Sequence, residues 1–490
     1  MINKIQHINI ALFAILQLFL FNPLEIWSQS LVLNEVLTNN KTGVQDSDGD
    51  YNDWIEVFNP TSQTINLLNY YLSDKQNDLY KWSFPNVDIL PNEYLLVFAS
   101  GKGISVNNEI HTNFSLSEDG EFLFLSNDSG QIISQMSIPP LGDDIPYGLL
   151  PNGGSNLFKL HNSSPGSSNN NNDIITLHQE SGFFKYPIYQ KGSTLMGDTI
   201  FYTTDGEEPS PISSNILHNG DSILLGYRYN DPNYFSNIST TPQTNAFTPP
   251  KWTPPSGIVD KAHILRYATF RNGIRTSEYY AQTIFVDSTY EEKYKLPIIS
   301  IIAPYDSFFG DQRGIYVPGN QYFNTKPYYS GNYNRSGRNW ERRSHLEYFD
   351  ENKSLGFRQD VGLRIHGMNS RLSPQKSLRV YARNDYGNKF INYKLLPRRN
   401  VDKYKRFIIR CPLSEAHNKT MIRDKLAQEI VRDLNFEKQD YHNVEVFING
   451  EYWGLHAIRD RIDEYSIEYM TGENKDSLNI ITANEGLNYE

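Results

Sequence analysis

Cations and small polar side chains are concentrated in the stretch 362–381, which reads GLRIHGMNSRLSPQKSLRVY. Those that could contact a ligand are Arg364, Asn369, Ser370, Arg371 and Lys376. Guanidinium, ammonium and amide groups, together with the backbone N–H groups of a loop, suit phosphate oxygens. The stretch therefore favours a phosphate-rich ligand. Charged side chains are also common on exposed strands, so a hairpin with a solvated basic face is the simpler alternative.

Two strands must hold these side chains. The alternating apolar residues are Val361, Leu363 and Ile365 before the loop and Leu378 and Val380 after it. This alternation predicts two strands that each bury one face, and it turns Arg364 and His366 to the opposite face. Lys376 precedes Leu378 and Val380 in the same alternating positions, so it is predicted to share their side of the second strand. The polar loop 367–374 connects the two strands.

A second block, 444–463, reads VEVFINGEYWGLHAIRDRID. Asn449 and Gly450 stand between two alternating runs and predict a hairpin with a type I′ turn. Between the two blocks the apolar residues recur every four positions, which predicts an amphipathic helix from about 418 to 434. They are Ile422, Leu426, Ile430 and Leu434.

These pieces together resemble the CotH family of secreted bacterial protein kinases. The resemblance rests on GLRIHGMNSR, PQKS, RDKLA, INGEYWG and RDRID, which occur in this order. It covers the chain from about Leu296 to the end and implies a kinase-like α+β domain at 294–490 that uses ATP and Mg²⁺. It also implies that Lys376 contacts phosphate and that Asp460 is a carboxylate partner of this lysine, in a position where the family has glutamate. The loop residues that it implies to contact phosphate or shape the loop are Arg364, Asn369, Ser370 and Arg371.

The resemblance implies a secreted or cell-surface kinase that phosphorylates Ser or Thr of extracellular or envelope proteins. The family's catalytic base and metal-binding aspartates are expected beyond residue 490, so the chain as given is expected to lack phosphoryl transfer. The alternative is a non-catalytic extracellular binding, adhesion or matrix protein whose β-sandwiches hold partners, including a surface polysaccharide. ATP binding distinguishes the two hypotheses. The sequence contains no serine-hydrolase, zinc-protease or Walker motif.

Residues 1–28 combine a basic start, an apolar run and a small residue before Gln29, which predicts a signal peptide and a secreted or cell-surface location. No later segment has the roughly 20 apolar residues of a membrane span, so no transmembrane anchor is expected. The formal net charge of −11 over 490 residues argues against nucleic acid as a partner. The single cysteine, Cys411, excludes an intramolecular disulfide and is expected to be a buried structural thiol.

Residues 29–161 show the short alternating strands and polar turns of a β-sandwich. The segments LVLNEV, DWIEVFNP, LNYYLSD, YLLVFAS and EFLFLSNDSGQIISQ resemble the lamin-tail domain, an immunoglobulin-like sandwich. Within this region the acidic loop DSDGDYND could bring carboxylates together around Ca²⁺. The candidate ligands are Asp46, Asp48, Asp50 and Asp53. No glutamate completes an EF-hand pattern, so a solvated acidic turn is the alternative.

The run NSSPGSSNNNN at 162–172 predicts a low-complexity linker. Residues 173–290 contain IFYTTDGEEP and HILRYATFRNGIRTSEYYAQTIFV, which resemble the accessory β-sandwich at the C-terminal end of chitobiases and hexosaminidases. The insert 227–255 is predicted to be a decorated loop, with Trp252 packed rather than stacked on sugar rings. The sequence thus predicts a multidomain, mainly β protein, with two immunoglobulin-like β-sandwiches followed by an incomplete α+β kinase-like domain.

Overall fold

The computed structural model describes residues 30–106, 109–212, 214–411, 422–434 and 436–480. These residues form two β domains and a β-barrel, which confirms the mainly β, multidomain expectation. The predicted signal peptide lies outside the described residues. None of the helices in the described ranges combines the length and the apolar character that a membrane crossing requires.

The first domain is a sandwich of two sheets. Its strands are β1 (Val32–Leu37), β2 (Trp54–Phe58), β3 (Ile65–Asn66), β4 (Tyr70–Ser73), β5 (Trp82–Ser83), β6 (Asp88–Ile89), β7 (Tyr94–Phe98), β8 (Ser105–Val106), β9 (Glu109–Ile110), β10 (Glu121–Asn127), β11 (Ile132–Ile138), β12 (Tyr147–Leu149) and β13 (Leu157–Lys159). One sheet has the order β13-β12-β1-β2-β7 and the other β11-β10-β4-β5. Ile55 and Val57 of the first sheet share a buried core with Leu123 and Leu125 of the second. The alternation of apolar residues therefore builds the predicted immunoglobulin-like sandwich.

The second domain is built around one larger sheet. Its strands are β14 (Ile175–Leu177), β15 (Gly182–Phe184), β16 (Ile188–Gln190), β17 (Gly192–Thr194), β18 (Thr199–Thr203), β19 (Asn215–Leu217), β20 (Ile223–Leu225), β21 (His263–Arg271), β22 (Ile274–Arg275) and β23 (Tyr280–Val286), followed by helix α1 (Tyr290–Lys293). The main sheet runs β15-β23-β21-β18-β19, with β22 paired to β21, while β14 pairs with β17 and β16 with β20. Leu265, Tyr267 and Ile284 of the main sheet lie in a separate small core.

The C-terminal block is a closed β-barrel. Its elements are β24 (Ile298–Ile302), α2 (Tyr305–Phe308), β25 (Arg342–Phe349), β26 (Leu355–His366), β27 (Ser377–Tyr381), β28 (Ile391–Asn392), β29 (Lys403–Tyr404), β30 (Arg406–Arg410), α3 (Arg423–Ile430), β31 (Tyr441–Ile448), β32 (Glu451–Asp460) and α4 (Glu464–Thr471). The order is β24-β25-β26-β27-β30-β32-β31, and parallel pairing of β24 with β31 closes the barrel. The predicted antiparallel pair β26–β27 is confirmed, with Leu363 opposite Val380. Cys411 is buried just after β30, as expected.

The insert 227–255 is part of the barrel rather than a surface decoration. Phe235 and Phe247 are buried in the same core as the inward side chains of the barrel strands. Trp252 stacks on Trp453 of β32 with ring centroids 5.9 Å apart, which confirms that it packs. The prediction of a decorated loop was wrong because the aromatic residues of the insert fill space that the barrel strands leave open.

The predicted hairpin is confirmed, because Asn449 and Gly450 both have positive φ angles, 47° and 78°. The predicted helix begins at Arg423 and ends at Ile430, and residues 412–421 and 435 lie outside the described residues. The apolar side chains of this helix face outward, whereas an amphipathic helix packed on a core would turn them inward. The exposed fractions include 52% for Leu426 and 74% for Ile430.

Polar contacts fix this orientation of α3. Asp424 forms an ion pair with the buried Arg459, and Lys425 donates a hydrogen bond to Asn443 on β31. Buried charges must keep their partners, and that requirement outweighs the preference of the apolar stripe for the core.

The segment 162–172 is an ordered connection rather than a loose linker. Asn169 and Asn172 are fully buried. Ser164 bonds to Glu35 of the first domain, while Arg271 of the second domain donates to the carbonyl of Asn170. The domain boundary assigned to this segment remains a prediction, but the segment itself is bonded to both neighbours.

Candidate functional site

The outer face of the barrel carries a row of arginines across four neighbouring strands. Since the apolar residues of β26, β27 and β30 fill the interior, the alternate residues must face outward. Arg364 lies directly opposite Arg379, and Ile408 lies opposite both Arg379 and Arg459 in the register of the sheet. We call this surface the arginine face. Its members are Arg364, Arg379, Arg406, Arg410 and Arg459, with Arg461 directly after β32.

Carboxylates neutralise part of this charge. Glu341 is buried and accepts hydrogen bonds from Arg364 at 2.8 Å and from Arg383 at 2.7 Å. Burial alone would raise the pKa of Glu341, but the hydrogen bonds from Arg383 and Arg364 hold it below its usual value. Asp463 also forms an ion pair, with Arg406 at 3.2 Å, but burial raises its pKa. These acids fix the edges of the arginine face.

The centre of the arginine face keeps an uncompensated charge. Among the described residues no carboxylate forms an ion pair with Arg379. Its guanidinium donates to the Tyr381 hydroxyl and to His366 Nδ1, both at 3.1 Å, and its Nε–H is buried without a partner. A buried donor without an acceptor is costly, and an acceptor group placed at this N–H would satisfy it.

Arg371 adds to the same positive region. It donates to the backbone carbonyls of Gly367, Tyr333 and Arg335, which leaves its charge without a carboxylate in the described part of the chain. Burial and the neighbouring charge of Arg379 lower the pKa of Arg371. An anion placed between the two guanidinium groups would relieve this repulsion.

The pKa of His366 is affected by the same arginine charges. Burial, followed by the charges of Arg379 and Arg410, lowers the pKa of His366 to about 3. The imidazole is therefore neutral at physiological pH and accepts the hydrogen bond from Arg379 at Nδ1. A second positive charge on His366 is thus disfavoured, first by burial and then by the neighbouring arginines.

Lys376 occupies a different place from the arginines. It directly precedes β27, turns inward as Leu378 does, and has no exposed surface. Its Nζ donates to the carbonyls of Arg371 at 2.9 Å and Ser373 at 2.8 Å, and lies 4.4 Å from the centre of the Tyr333 ring. Burial lowers the pKa of Lys376 to about 7. The lysine thus holds the loop from below, and a ligand outside the barrel cannot reach it in this conformation.

The loop 367–374 presents the other predicted residues at the surface. Asn369 begins a 3-10 turn that continues to Leu372. Asn369 is exposed and Ser370 is partly exposed. Thr240 of the insert donates to the carbonyl of Pro374 at 2.5 Å and so anchors the end of the loop. The structure therefore brings Asn369, Ser370 and Arg371 together in one loop above Lys376.

The expected ion pair between Asp460 and Lys376 is not formed. Asp460 accepts from Arg399 Nε at 2.8 Å and from the backbone N–H of Asp440 at 2.7 Å. It lines a small cleft between the end of β32 and α4. Residues that line the same cleft include Tyr465, Tyr469, Arg406 and Arg461. The prediction failed because Asp460 turns toward Arg399, whereas Lys376 is enclosed by the loop.

Family comparisons identify two segments of the chain. Residues 363–490 match the family model described as CotH kinase protein, and residues 28–139 match the Lamin Tail Domain. A CotH domain is present at the C-terminal end. The strands β24 and β25 of the barrel precede the matched CotH residues. No comparison assigns the second domain to the chitobiase type, so that resemblance remains a prediction.

Comparison with whole proteins adds little. No curated protein matches the chain. Among solved structures, the chain is similar to the three N-terminal domains of the bacteriophage RB49 Highly Immunogenic Outer Capsid protein (Hoc). The match has 5% identity and a TM-score of 0.14, and it covers 56% of this chain and 60% of that one. A similarity of this size carries no argument about function.

The acidic loop of the lamin tail domain is held by a lysine. Asp46, Asp48 and Asp50 converge, and Lys102 Nζ lies 2.6, 2.7 and 3.2 Å from their carboxylates. Asp53 is not part of this group. Burial raises the pKa of Asp46, but the hydrogen bond from Lys102 lowers it below its usual value. Calcium at this loop remains a prediction, and it would have to displace the ammonium group.

Sequence reasoning missed Arg379, Arg406, Arg461 and Glu341 as members of the CotH site. The signal for Arg379 was present, because it alternates with Leu378 and Val380 on the same strand as Lys376. Glu341 could not be found in this way. Its place beside Arg364 depends on the antiparallel pairing of β25 with β26, in which Arg342 lies opposite Leu363.

Proposed function

We propose that this protein is a secreted or cell-surface CotH-type kinase that binds ATP on the arginine face and phosphorylates Ser or Thr of extracellular or envelope proteins. The observation that carries the proposal is the uncompensated charge of Arg371 and Arg379. A nucleotide triphosphate supplies several negative oxygens at short spacing, and guanidinium groups bind such oxygens in pairs. The CotH match makes phosphoryl transfer the reaction class to test first.

The buried Nε–H of Arg379 fits a phosphate oxygen, because an acceptor there would complete its hydrogen bonding. Asn369 and Ser370, at the surface of the neighbouring loop, can donate to further oxygens. Lys376 contacts the loop and not the solvent, so its role in this conformation is to position Arg371 from below. Direct contact between Lys376 and phosphate would require movement of the loop 367–374.

The carboxylates beside the arginine face do not offer a ready magnesium site. Glu341 and Asp463 each bind arginines, and Asp463 also caps α4 by accepting from the Ser466 backbone N–H. We therefore infer that Mg²⁺ arrives bound to the phosphates of ATP. The charge that the metal supplies would offset the negative charge of the triphosphate during transfer.

A transfer assay tests the proposal. The purified protein is incubated with Mg²⁺ and ATP labelled at the γ-phosphate, with a serine-rich acceptor protein present, and phosphorylated residues are mapped by mass spectrometry. Because the catalytic base and the metal-binding aspartates are expected beyond residue 490, label on Ser or Thr is not required of this chain. We expect ATP to bind the wild type, and both this binding and any label to be lost in Arg379→Gln. Label that persists in this variant would contradict the assignment of the arginine face.

A second function is favoured by the enclosure of Lys376. If the loop never opens, the protein would act as a non-catalytic extracellular binding or matrix protein, with the β domains holding a protein or surface polysaccharide. The same assay distinguishes the two functions. Absence of both ATP binding and label in the folded wild-type protein would favour the binding protein over the kinase.

A further inference from the structure

Two glutamates face each other inside the lamin tail domain. Glu35 of β1 lies directly opposite Glu56 of β2 in the register of the sheet, and both are fully buried. In the described part of the chain neither carboxyl group pairs with a lysine, arginine or histidine. Two negative charges in adjacent cross-strand positions repel one another, and burial makes each charge still more costly. This geometry opposes ionisation of both groups.

The connecting segment 162–172 closes over this pair. Ser164 contacts Glu35 through its backbone N–H at 3.1 Å and its hydroxyl at 2.7 Å. The backbone N–H of Gly166 donates to Glu56 Oε2 at 2.7 Å. From the sheet side, Asn34 Nδ2 donates to Glu56 Oε1 at 2.8 Å. The two carboxyl groups are thus one polar attachment of the segment to the sandwich. Asn169 provides the other, because its backbone N–H donates to Asn152 and its side chain to the Leu149 carbonyl.

The hydrogen-bond geometry indicates a proton on Glu35. Ser164 Oγ lies 2.7 Å from Glu35 Oε2 and 2.5 Å from Asn169 Oδ1, yet a hydroxyl has only one hydrogen to donate. The amide of Asn169 is oriented by donation from its Nδ2 to the Leu149 carbonyl at 2.9 Å, so its Oδ1 is the acceptor. An ionised Glu35 would leave two acceptors sharing one hydrogen. A protonated Glu35 donates to Ser164 Oγ, which then donates to Asn169.

We infer that segment 162–172 is a proton-dependent latch, closed while the Glu35–Glu56 pair is protonated and released when the pair ionises. Ionisation removes the hydrogen that Glu35 donates to Ser164 Oγ and places two like charges in a buried site. We expect this repulsion to outweigh the N–H donations from Ser164 and Gly166 to the carboxylates, which remain. The segment can relieve both effects by leaving the sandwich and admitting water.

The direction with pH follows from the pKa values of the pair. Burial raises the pKa of Glu35 to about 7 and that of Glu56 to about 8. Once the segment is released, both would return toward the usual glutamate value of about 4.3. The closed state therefore binds more protons between these limits, so closure is favoured at acidic pH and weakens as the pH rises toward 8.

Other titratable groups around the pair do not reverse this direction. Burial raises the pKa of Tyr94, so its hydroxyl stays neutral over this range. Glu93 is exposed and adds only a screened negative charge. On the far side of the segment, Arg271 donates to the Asn170 carbonyl, and its charge is paired with Asp198 at 2.6 Å. Release of the latch would therefore also loosen the contact with the second domain.

Hydrogen exchange measured by mass spectrometry tests the latch. We expect the peptide that covers 162–172 to lose protection by about tenfold or more between pH 6 and pH 8, after correction for the intrinsic pH dependence of exchange. The double variant Glu35→Gln, Glu56→Gln is expected to stay protected at pH 8, because an uncharged amide replaces each protonated carboxyl. Glu93→Gln is the matched control and should behave as the wild type.

A second measurement covers the case in which the double variant does not fold. The part of the infrared absorption of protonated carboxyl groups that is lost in the single variant Glu56→Gln is expected to fall between pH 6 and pH 9 in the unmodified protein, in step with the loss of protection. Protection of 162–172 that is unchanged across this range would overturn the inference. A change of equal size in the wild type and in a folded double variant would overturn it as well.

Discussion

At the scale of single residues, the distinguishing feature is the difference between Arg379 and Lys376. Arg379 lies on β27 and Lys376 directly precedes it, but their side chains leave opposite sides of the chain. Arg379 keeps a full charge and a buried N–H without an acceptor. Lys376 is enclosed by loop carbonyls, and burial lowers its pKa to about 7. We propose that the first residue receives an anion, whereas the second supports the loop beside it.

The buried ammonium makes stability depend on pH in a defined direction. Because the pKa of Lys376 is about 7 in the folded protein and about 10.4 in the unfolded chain, the unfolded chain binds the extra proton between these values. Relative to Lys376→Met, the wild type should therefore gain up to about 1 kcal/mol per pH unit above pH 7. Thermal melting of both proteins from pH 6 to pH 9 measures this difference. A constant difference in melting temperature would show that the lysine does not titrate as argued.

At the scale of elements, the loop 367–374 and its flanking strands form the unit that carries the site. Gly367 has φ of 104°, and a Cβ at this position would meet the Ser370 hydroxyl. The loop therefore depends on glycine at its first position both for the backbone angle and for the close approach of Ser370.

Replacement of this glycine should loosen the loop. Gly367→Ala is expected to destabilise the protein by about 1–3 kcal/mol, from the positive φ together with the clash. Gly337→Ala is the matched control, because Gly337 also has a positive φ, 87°, but open space around it. Urea unfolding of both variants gives the comparison. Equal losses of unfolding free energy in the two variants would mean that the clash with Ser370 does not contribute to the destabilisation.

Local sequence patterns predicted these elements well where the same residues determine the local structure. Alternation placed Arg364 outward and Leu378 inward, and the Asn449–Gly450 pair set the turn of the second hairpin. The four-residue apolar period failed to predict which face of α3 turns inward, because that orientation is set by the contact of Asp424 with the distant Arg459. Alternation also could not show that β24 closes the barrel, since that parallel pairing joins segments far apart in sequence.

At the scale of the whole molecule, the three structural regions share contacts that composition did not reveal. The second domain sends Phe235 and Phe247 into the barrel core. The lamin tail domain contacts the CotH domain through Glu118, which accepts from Lys389 at 2.6 Å and Asn384 at 2.7 Å. The regions that look like separate modules in the sequence therefore stabilise one another in the folded chain.

These contacts between regions lead to a specific prediction for the insert 227–255. Phe247→Ala should cost about 3–5 kcal/mol, as expected for a buried phenylalanine, and should destabilise the barrel although the residue belongs to the second domain. Tyr186→Ala, which removes a 73% exposed ring from the same domain, is the control and should have little effect. Hydrogen exchange of peptides from β26 and β27 reports the barrel directly. Protection of these peptides that is unchanged in Phe247→Ala would argue against the coupling.

The central claim is that the arginine face of the CotH domain binds a phosphate-rich nucleotide. Calorimetric titration of MgATP into the wild type, Arg379→Gln and Arg358→Gln tests it most directly. Arg358 lies roughly 20 Å from Arg364 along the same strand and pairs with Glu180, so its variant removes the same charge away from the site. We predict saturable binding to the wild type and to Arg358→Gln, and at least about tenfold weaker binding to Arg379→Gln, as expected when a charged hydrogen bond is lost. Equal affinity of all three proteins, or no binding to the folded wild type, would contradict the claim.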